Sequence, residues 1–342
     1  MRLSLVIALA ALGCAPGTTG TKFPKGRDDP DPVDTDTDTD TDVDTDDTDT
    51  DTDTEPLPTF DCSTVPEMPL SNTQLDAPRG YNDVVFDADG AMIGHDGNAF
   101  IKATSPTDAT ALALAGQTVY KMGYLDNGDV VAATDTGTIV RVTPAGATSV
   151  VASGINGYGL AIGSDGMIYV GTNYTFVSDG IVRIDPATGD SELWLDASAY
   201  PPRAIGFSRD FTVLYFGTLN GGDVYKVELD ANLDPVGDPQ LVVTLPAGWH
   251  DTLEVDACGN VYVGAFFTWS IYRINVDLSI DRILQWDFNS YGHGFEWGSA
   301  DGGWNEQAIY VTHPYIGSRI EEVEIGVPGA HWVGEVIGGG TP

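Results

Sequence analysis

Gly163-Ser164-Asp165-Gly166-Met167-Ile168-Tyr169-Val170-Gly171-Thr172, followed by Ile181-Val182-Arg183-Ile184 and Leu193-Trp194-Leu195, is the stretch that decides how this chain folds. An acidic turn with glycine leads into a run of β-formers, a second run carries one basic residue, and a weaker third run follows. Asx residues and glycine supply the positive φ that tight hairpins need. The same acidic turn stands at Phe86-Asp87-Ala88-Asp89-Gly90, Leu125-Asp126-Asn127-Gly128, Asp256-Ala257-Cys258-Gly259-Asn260 and Ser299-Ala300-Asp301-Gly302, with Ser208-Arg209-Asp210-Phe211 a degenerate copy. After the turns come Val213-Leu214-Tyr215-Phe216-Gly217-Thr218, Val261-Tyr262-Val263-Gly264 and Ala308-Ile309-Tyr310-Val311-Thr312. The basic-bearing run recurs as Ile139-Val140-Arg141-Val142, Val224-Tyr225-Lys226-Val227 and Ile271-Tyr272-Arg273-Ile274.

A strand ahead of each turn makes four antiparallel strands per unit. That unit, recurring every ~40–50 residues, is the pattern of propeller blades. Aligned copies begin near residues 80, 118, 156, 201, 249 and 291, which predicts an all-β, six-bladed β-propeller. The last unit lacks a clear fourth strand and residues 60–76 precede the first, so pairing across these ends is expected to close the ring.

Outward from the repeats, the 342 residues divide into a targeting segment (1–14), a low-complexity linker (15–59) and the folded domain (60–342). Met1-Arg2 and the apolar Leu3–Leu12 form a signal peptide too short to span a bilayer. It ends Ala11-Leu12-Gly13-Cys14, which resembles a bacterial lipoprotein processing site with Cys14 as the acylated residue, although Ala11 and Leu12 invert the usual order of large and small residues. The chain is therefore expected to be exported and lipid-anchored to an outer membrane or cell surface, or, with ordinary cleavage at the same place, periplasmic or secreted. Asp34–Thr54 is nearly pure Asp-Thr alternation, with almost nothing apolar to bury and strong self-repulsion. It reads as a disordered, extended stalk.

The formal charge is −36, and 15 of the 51 acids fall within Asp28–Glu55. The 36 acids and 11 basic residues from Pro56 onward leave the domain near −25. Such a surface repels phosphate backbones and argues against a nucleic-acid partner. Cys62 and Cys258 are an even pair in an oxidising compartment, so a disulfide between them is expected, with two free thiols as the alternative. The domain is expected to be monomeric. No nucleophile elbow, His-Glu-x-x-His, phosphate loop or dinucleotide fingerprint is present.

In a propeller the innermost strand of every blade lines a central channel, so the residues that open those strands converge on one mouth. The position two before the first large apolar residue of each inner strand gives Asn82, Tyr120, Tyr158, Arg203, Asp251 and His293. Pro201-Pro202-Arg203-Ala204-Ile205-Gly206-Phe207-Ser208 and His250-Asp251-Thr252-Leu253-Glu254-Val255-Asp256 resemble the blade openings of the gluconolactonase/regucalcin group of six-bladed propellers. That resemblance implies one divalent metal held by a Glu, an Asn and an Asp, the Asp also serving lactone hydrolysis. Only the Asp is present, as Asp251; Asn82 stands for the Glu, Arg203 for the Asn ligand, and Tyr158 for an Asn associated with substrate.

Three arrangements follow. Asp251, Glu254, His293 and Glu296 could form a rebuilt metal site for calcium, zinc or manganese, with Asp251 catalytic. Alternatively Arg203 and Asp251 pair across the entry, leaving Tyr120, Tyr158 and His293, in a mouth set that includes Asn82 and Arg203, to bind a small polar or sugar-like ligand, or the propeller engages an envelope protein. The plainest arrangement is an Arg203–Asp251 ion pair with the tyrosines plugging the channel. Trp249, Trp269, Trp297, Trp304 and Trp332 read as packing residues or as a platform for carbohydrate stacking. His95 reads as a hairpin residue, while His313 and His331 have no evident partner. The favoured expectation is a non-catalytic binding propeller, the alternative a lactonase-like hydrolase.

Overall fold

The computed structural model describes residues 60–114, 116–172, 180–246, 248–287 and 292–330. Cys14, the Asp-Thr run, His331 and Trp332 lie outside the described residues. Among these, 24 strands form six antiparallel sheets of four, and the only helical pieces are short 3-10 segments.

Consecutive strands make the first five blades. Blade one runs β2 (Val84–Phe86), β3 (Met92–His95), β4 (Ala99–Ala103) and β5 (Thr110–Leu114). Blade two is β6 (Val119–Tyr124) to β9 (Thr148–Ser153), and blade three is β10 (Gly159–Ile162) to β13 (Ser191–Asp196). Blade four is β14 (Pro202–Phe207) to β17 (Pro235–Thr244), and blade five is β18 (His250–Val255) to β21 (Ile280–Gln285). Blade six takes three strands from the C-terminal part, β22 (Phe295–Trp297), β23 (Ala308–His313) and β24 (Arg319–Glu324). Its fourth strand is β1 (Ser71–Leu75), with Ser71 opposite Glu324 and Leu75 opposite Ile320. Pairing one end of the chain with the other gives β24 a partner that it would otherwise lack and completes blade six, with β1 as its outer strand.

The repeating turn does what its composition predicts. Gly90, Gly128, Gly166 and Gly259 have φ between 72° and 90°, each closing the hairpin with an N–H bond to the carbonyl three residues back. The degenerate copy keeps this bond, Phe211 N to Ser208 O at 3.0 Å, but holds a phenylalanine at φ 55°. A left-handed non-glycine costs on the order of 1–2 kcal/mol.

The basic residue of the third strand also has a reason in blades one, two, three and five. Lys102 meets Asp87 at 2.7 Å, Arg141 meets Asp129 at 3.4 Å, Arg183 meets Glu192 at 2.7 Å and Arg273 meets Asp281 at 3.1 Å. Apolar layers fill the space between blades; Tyr169, Phe207 and Phe216 bind blade three to blade four, and Phe86, Trp304 and Tyr310 bind blade one to blade six. Cys62 and Cys258 are joined as a disulfide, tying the segment ahead of β1 to the first turn of blade five.

Candidate functional site

Strand irregularities aim the mouth residues. In β6, β14 and β18 the register with the second strand skips one residue, at Tyr120, Arg203 and Asp251 respectively. Such a bulge leaves its extra residue outside the ladder and re-aims the side chain. The position singled out from the sequence is thus the bulge position in three blades.

All six mouth residues are buried, with 2–8% of their surface exposed. Arg203 donates from Nε and Nη2 to Asp251 Oδ1 at 3.2 and 2.8 Å, and its guanidinium carbon lies 3.5 Å from the Tyr158 ring centroid. Tyr158 stacks on Tyr120 with ring centroids 5.0 Å apart. Its hydroxyl lies 2.9 Å from His293 Nδ1, and His293 Nε2 lies 3.4 Å from Asp251 Oδ2. Asn82 instead donates to Val119 O at 2.7 Å, binding blade one to blade two. Burial depresses the His293 imidazolium, against the opposing pull of Asp251, so the ring is neutral near pH 7. The Arg203–Asp251 ion pair, common to the ligand-binding and the plainest arrangements, is formed and lies buried against the stacked tyrosines.

The four-residue metal set does not form. Among the described residues no three His, Cys, Asp or Glu side chains are placed to hold a metal ion. Asp251 and His293 meet, but Asp251 is engaged by a guanidinium, which has no lone pair and repels a metal. Glu254 and Glu296 belong to a different level of the channel. The residues present therefore do not fit the divalent metal that the resemblance implies.

One residue deeper lies a feature that the sequence reading missed. Lys121 Nζ bonds Asp83 Oδ1 at 3.0 Å, Glu254 Oε1 at 2.9 Å and Thr252 Oγ1 at 3.3 Å. An ammonium has three N–H donors, so its capacity is fully used. This pillar crosses the channel from blade two to blades one and five. Burial would depress the lysine, but Asp83, Glu254 and Glu296 together raise it, and it stays charged. Burial raises Asp83 to about 6 despite Lys121. Burial also raises Glu254 and, with help from Glu254, holds Glu296 well above the usual carboxylate range.

Two residues further along the inner strands stand Val85, Gly123, Ala161, Gly206, Glu254 and Glu296, which share a channel face with Asp83 and Lys121 by the two-residue repeat of a strand. All six line a cavity of about 150 Å³ at the turn end of the channel, opposite the mouth. Gly206 also allows close approach of blade five, since a Cβ there would lie 2.8 Å from Leu253 O.

Trp297 and Trp304 are buried, and Trp297 Nε1 donates to Val327 O. Trp249 stacks on Phe266, with ring centroids 5.0 Å apart. His95 is fully buried against Phe100. His313 does have a partner: its Nε2 is 2.7 Å from Glu321, which also accepts from Trp286 Nε1.

No family model matches the sequence, and no curated protein matches it. Solved structures do. Regucalcin from Agrobacterium tumefaciens, described as a calcium-binding protein, superposes with a TM-score of 0.59 at 18% identity, over 75% of this chain and 96% of that one. A gluconolactonase from Xanthomonas campestris gives 0.59 at 14%, over 74% and 88%. The fold is that of the gluconolactonase and regucalcin propellers. An auxiliary nutrient binding protein from Bacteroides thetaiotaomicron shares it too, with a TM-score of 0.58 at 12% identity over 74% of this chain and 70% of that one. Likeness at these identities extends to the fold and stops there.

Proposed function

We propose that this chain is an exported, monomeric binding propeller without hydrolytic activity, tethered to a membrane through Cys14 and held off it by residues 15–59. The observation that carries the reading is the Arg203–Asp251 pair, 2.8 Å apart and buried. The carboxylate that would serve a metal-dependent lactonase is neutralised by a fixed internal cation, whose guanidinium packs on Tyr158, itself stacked on Tyr120. The nutrient binding protein of the same fold is a precedent for a propeller that binds.

The test is hydrolysis of simple aldonolactones and aryl esters by the full chain, with and without added calcium, manganese or zinc. No turnover above background is expected. Metal-stimulated turnover that disappears in a folded Asp251→Ala variant would establish the lactonase-like alternative instead. For the tether, Cys14→Ala should move the protein from the membrane fraction to the soluble one; retention in the membrane fraction would rule out anchoring by acylation.

A further inference from the structure

We propose that the cavity at the turn end of the channel binds a small organic ammonium, its apolar body against Leu160, Ile162, Phe207 and Phe211 and its charged nitrogen against Glu254 and Glu296. This rests on the reading of the propeller as a binding module, and it names the ligand class.

The first support is shape. A cavity of about 150 Å³ suits a single ring or a short alkyl chain. Its walls are mostly carbon, and it opens past the half-buried Phe211 and the exposed Asp126. Of the six channel-facing positions, Ala161 carries only a methyl group, while Gly123 and Gly206 carry no side chain and let Leu160 and Ile162 of blade three and Leu253 of blade five close in beside them.

The second is charge. Asp83, Glu254 and Glu296 face a single ammonium, Lys121, whose three donors go to Asp83, Thr252 and Glu254. The hydrogen bond that the described residues give Glu296 comes from its neighbour, Trp297 N, at 2.9 Å. Carboxylates thus outnumber cations at the floor. A bound ammonium would correct the imbalance, a neutral ligand would leave it, and an anion would worsen it. Burial, helped by Glu254, holds the Glu296 carboxyl well above the usual carboxylate range, which expresses the same imbalance.

The third is strain. Where four other copies of the turn have glycine, this wall has Phe211 at φ 55°. Non-glycine residues persist in such conformations where surrounding structure over-determines them, and they cluster at ligand clamps. The Phe211 ring packs against Phe207 with centroids 5.4 Å apart, completing the apolar wall.

The experiment is isothermal titration of the full chain at pH 7 with benzylammonium, benzyl alcohol and benzoate. The expected result is saturable 1:1 binding of benzylammonium, at least ten-fold weaker binding of benzyl alcohol and none of benzoate. Glu296→Gln should weaken benzylammonium at least ten-fold. Ala161→Leu, which narrows the cavity without touching a charge, should also weaken it and serves if Glu296→Gln does not fold. Equal affinity for the alcohol, benzylammonium affinity unchanged in both variants, calcium binding that excludes benzylammonium, or no binding of any probe overturns the proposal. Lactone hydrolysis measured on the same sample keeps the two readings apart: turnover sinks the binding module, whereas silence in both assays sinks the ammonium site alone.

Discussion

Lys121 Nζ lies 2.9 Å from Glu254 Oε1, joining blade two to blade five through the centre of the propeller. Adjacent blades hold each other through apolar layers, but these two are not neighbours in the ring. The pillar therefore spans the channel, which the blade-to-blade packing cannot do.

Removing its cation should be costly. Lys121→Met keeps most of the side-chain volume but leaves Asp83 and Glu254 without their ammonium. Breaking a buried pair in this way costs about 3–5 kcal/mol. Urea denaturation at pH 7 should show a loss of that size, partly recovered by adding Glu254→Gln. A loss under about 1 kcal/mol would mean that water in the channel already screens the pair.

Asp83 sets a pH dependence whose sign opposes that of an ordinary surface ion pair. Its folded value, about 6, lies above the free value of 3.8 because burial outweighs Lys121. Folding therefore takes up a proton between about pH 4 and pH 6, and the contribution of this group to stability falls as pH rises through that window. Above about pH 6 the penalty is complete and constant. Glu296, also raised, acts with the same sign. Wild-type stability should thus decline relative to Asp83→Asn between pH 4 and 6 and run parallel to it above. Urea midpoints at four pH values decide this, and parallel curves throughout would refute it.

At the mouth, Arg203 and Asp251 form a closed pair whose value is best read by a double-mutant cycle. Arg203→Met strands the Asp251 carboxylate, buried and 3.4 Å from a His293 that burial keeps neutral. Asp251→Asn strands the guanidinium under Tyr158. Each single change should cost about 3–5 kcal/mol and the double change clearly less than their sum, because a buried pair replaced as a unit leaves no unpaired charge. Additive losses would show that the two residues do not act as a unit.

Much of this architecture is legible in the residues. Acidic turns with glycine, a β-run, and a run with one basic residue recur often enough to count six blades. The same alignment finds Asp251, Arg203 and Tyr120, because a bulge falls at the same place in blade after blade. The metal set misleads for a geometric reason: Asp251 and Glu254 are three residues apart on one strand, hence about 10 Å apart along it. Nearness in sequence there means different depths in the channel. The pillar left a trace in Val119–Tyr124, where Lys121 is the lone charge in a β-run, and in Asp83 ahead of Val84-Val85-Phe86. The cavity left less, since its wall depends on the methyl of Ala161 and on how closely blades approach at Gly123 and Gly206, residues that no motif marks.

The disulfide closes the ring a second time. Cys62 and Cys258 are 196 residues apart in sequence, and Cys62 precedes the strand that completes blade six. In the chain-entropy account a loop of that length stabilises by about 5 kcal/mol, through the freedom denied to the unfolded chain. Arg273 adds a local tie, donating to Pro66 O and Glu67 O between the disulfide and β1. Replacing both cysteines with serine should therefore act at two levels. Global stability in urea should fall by several kcal/mol, while hydrogen exchange should quicken first in residues 60–75 and β24, with blades two to four keeping their protection. Uniform loss of protection across all blades would mean that the ring opens as a single cooperative unit, with the disulfide stabilising the whole and not its seam.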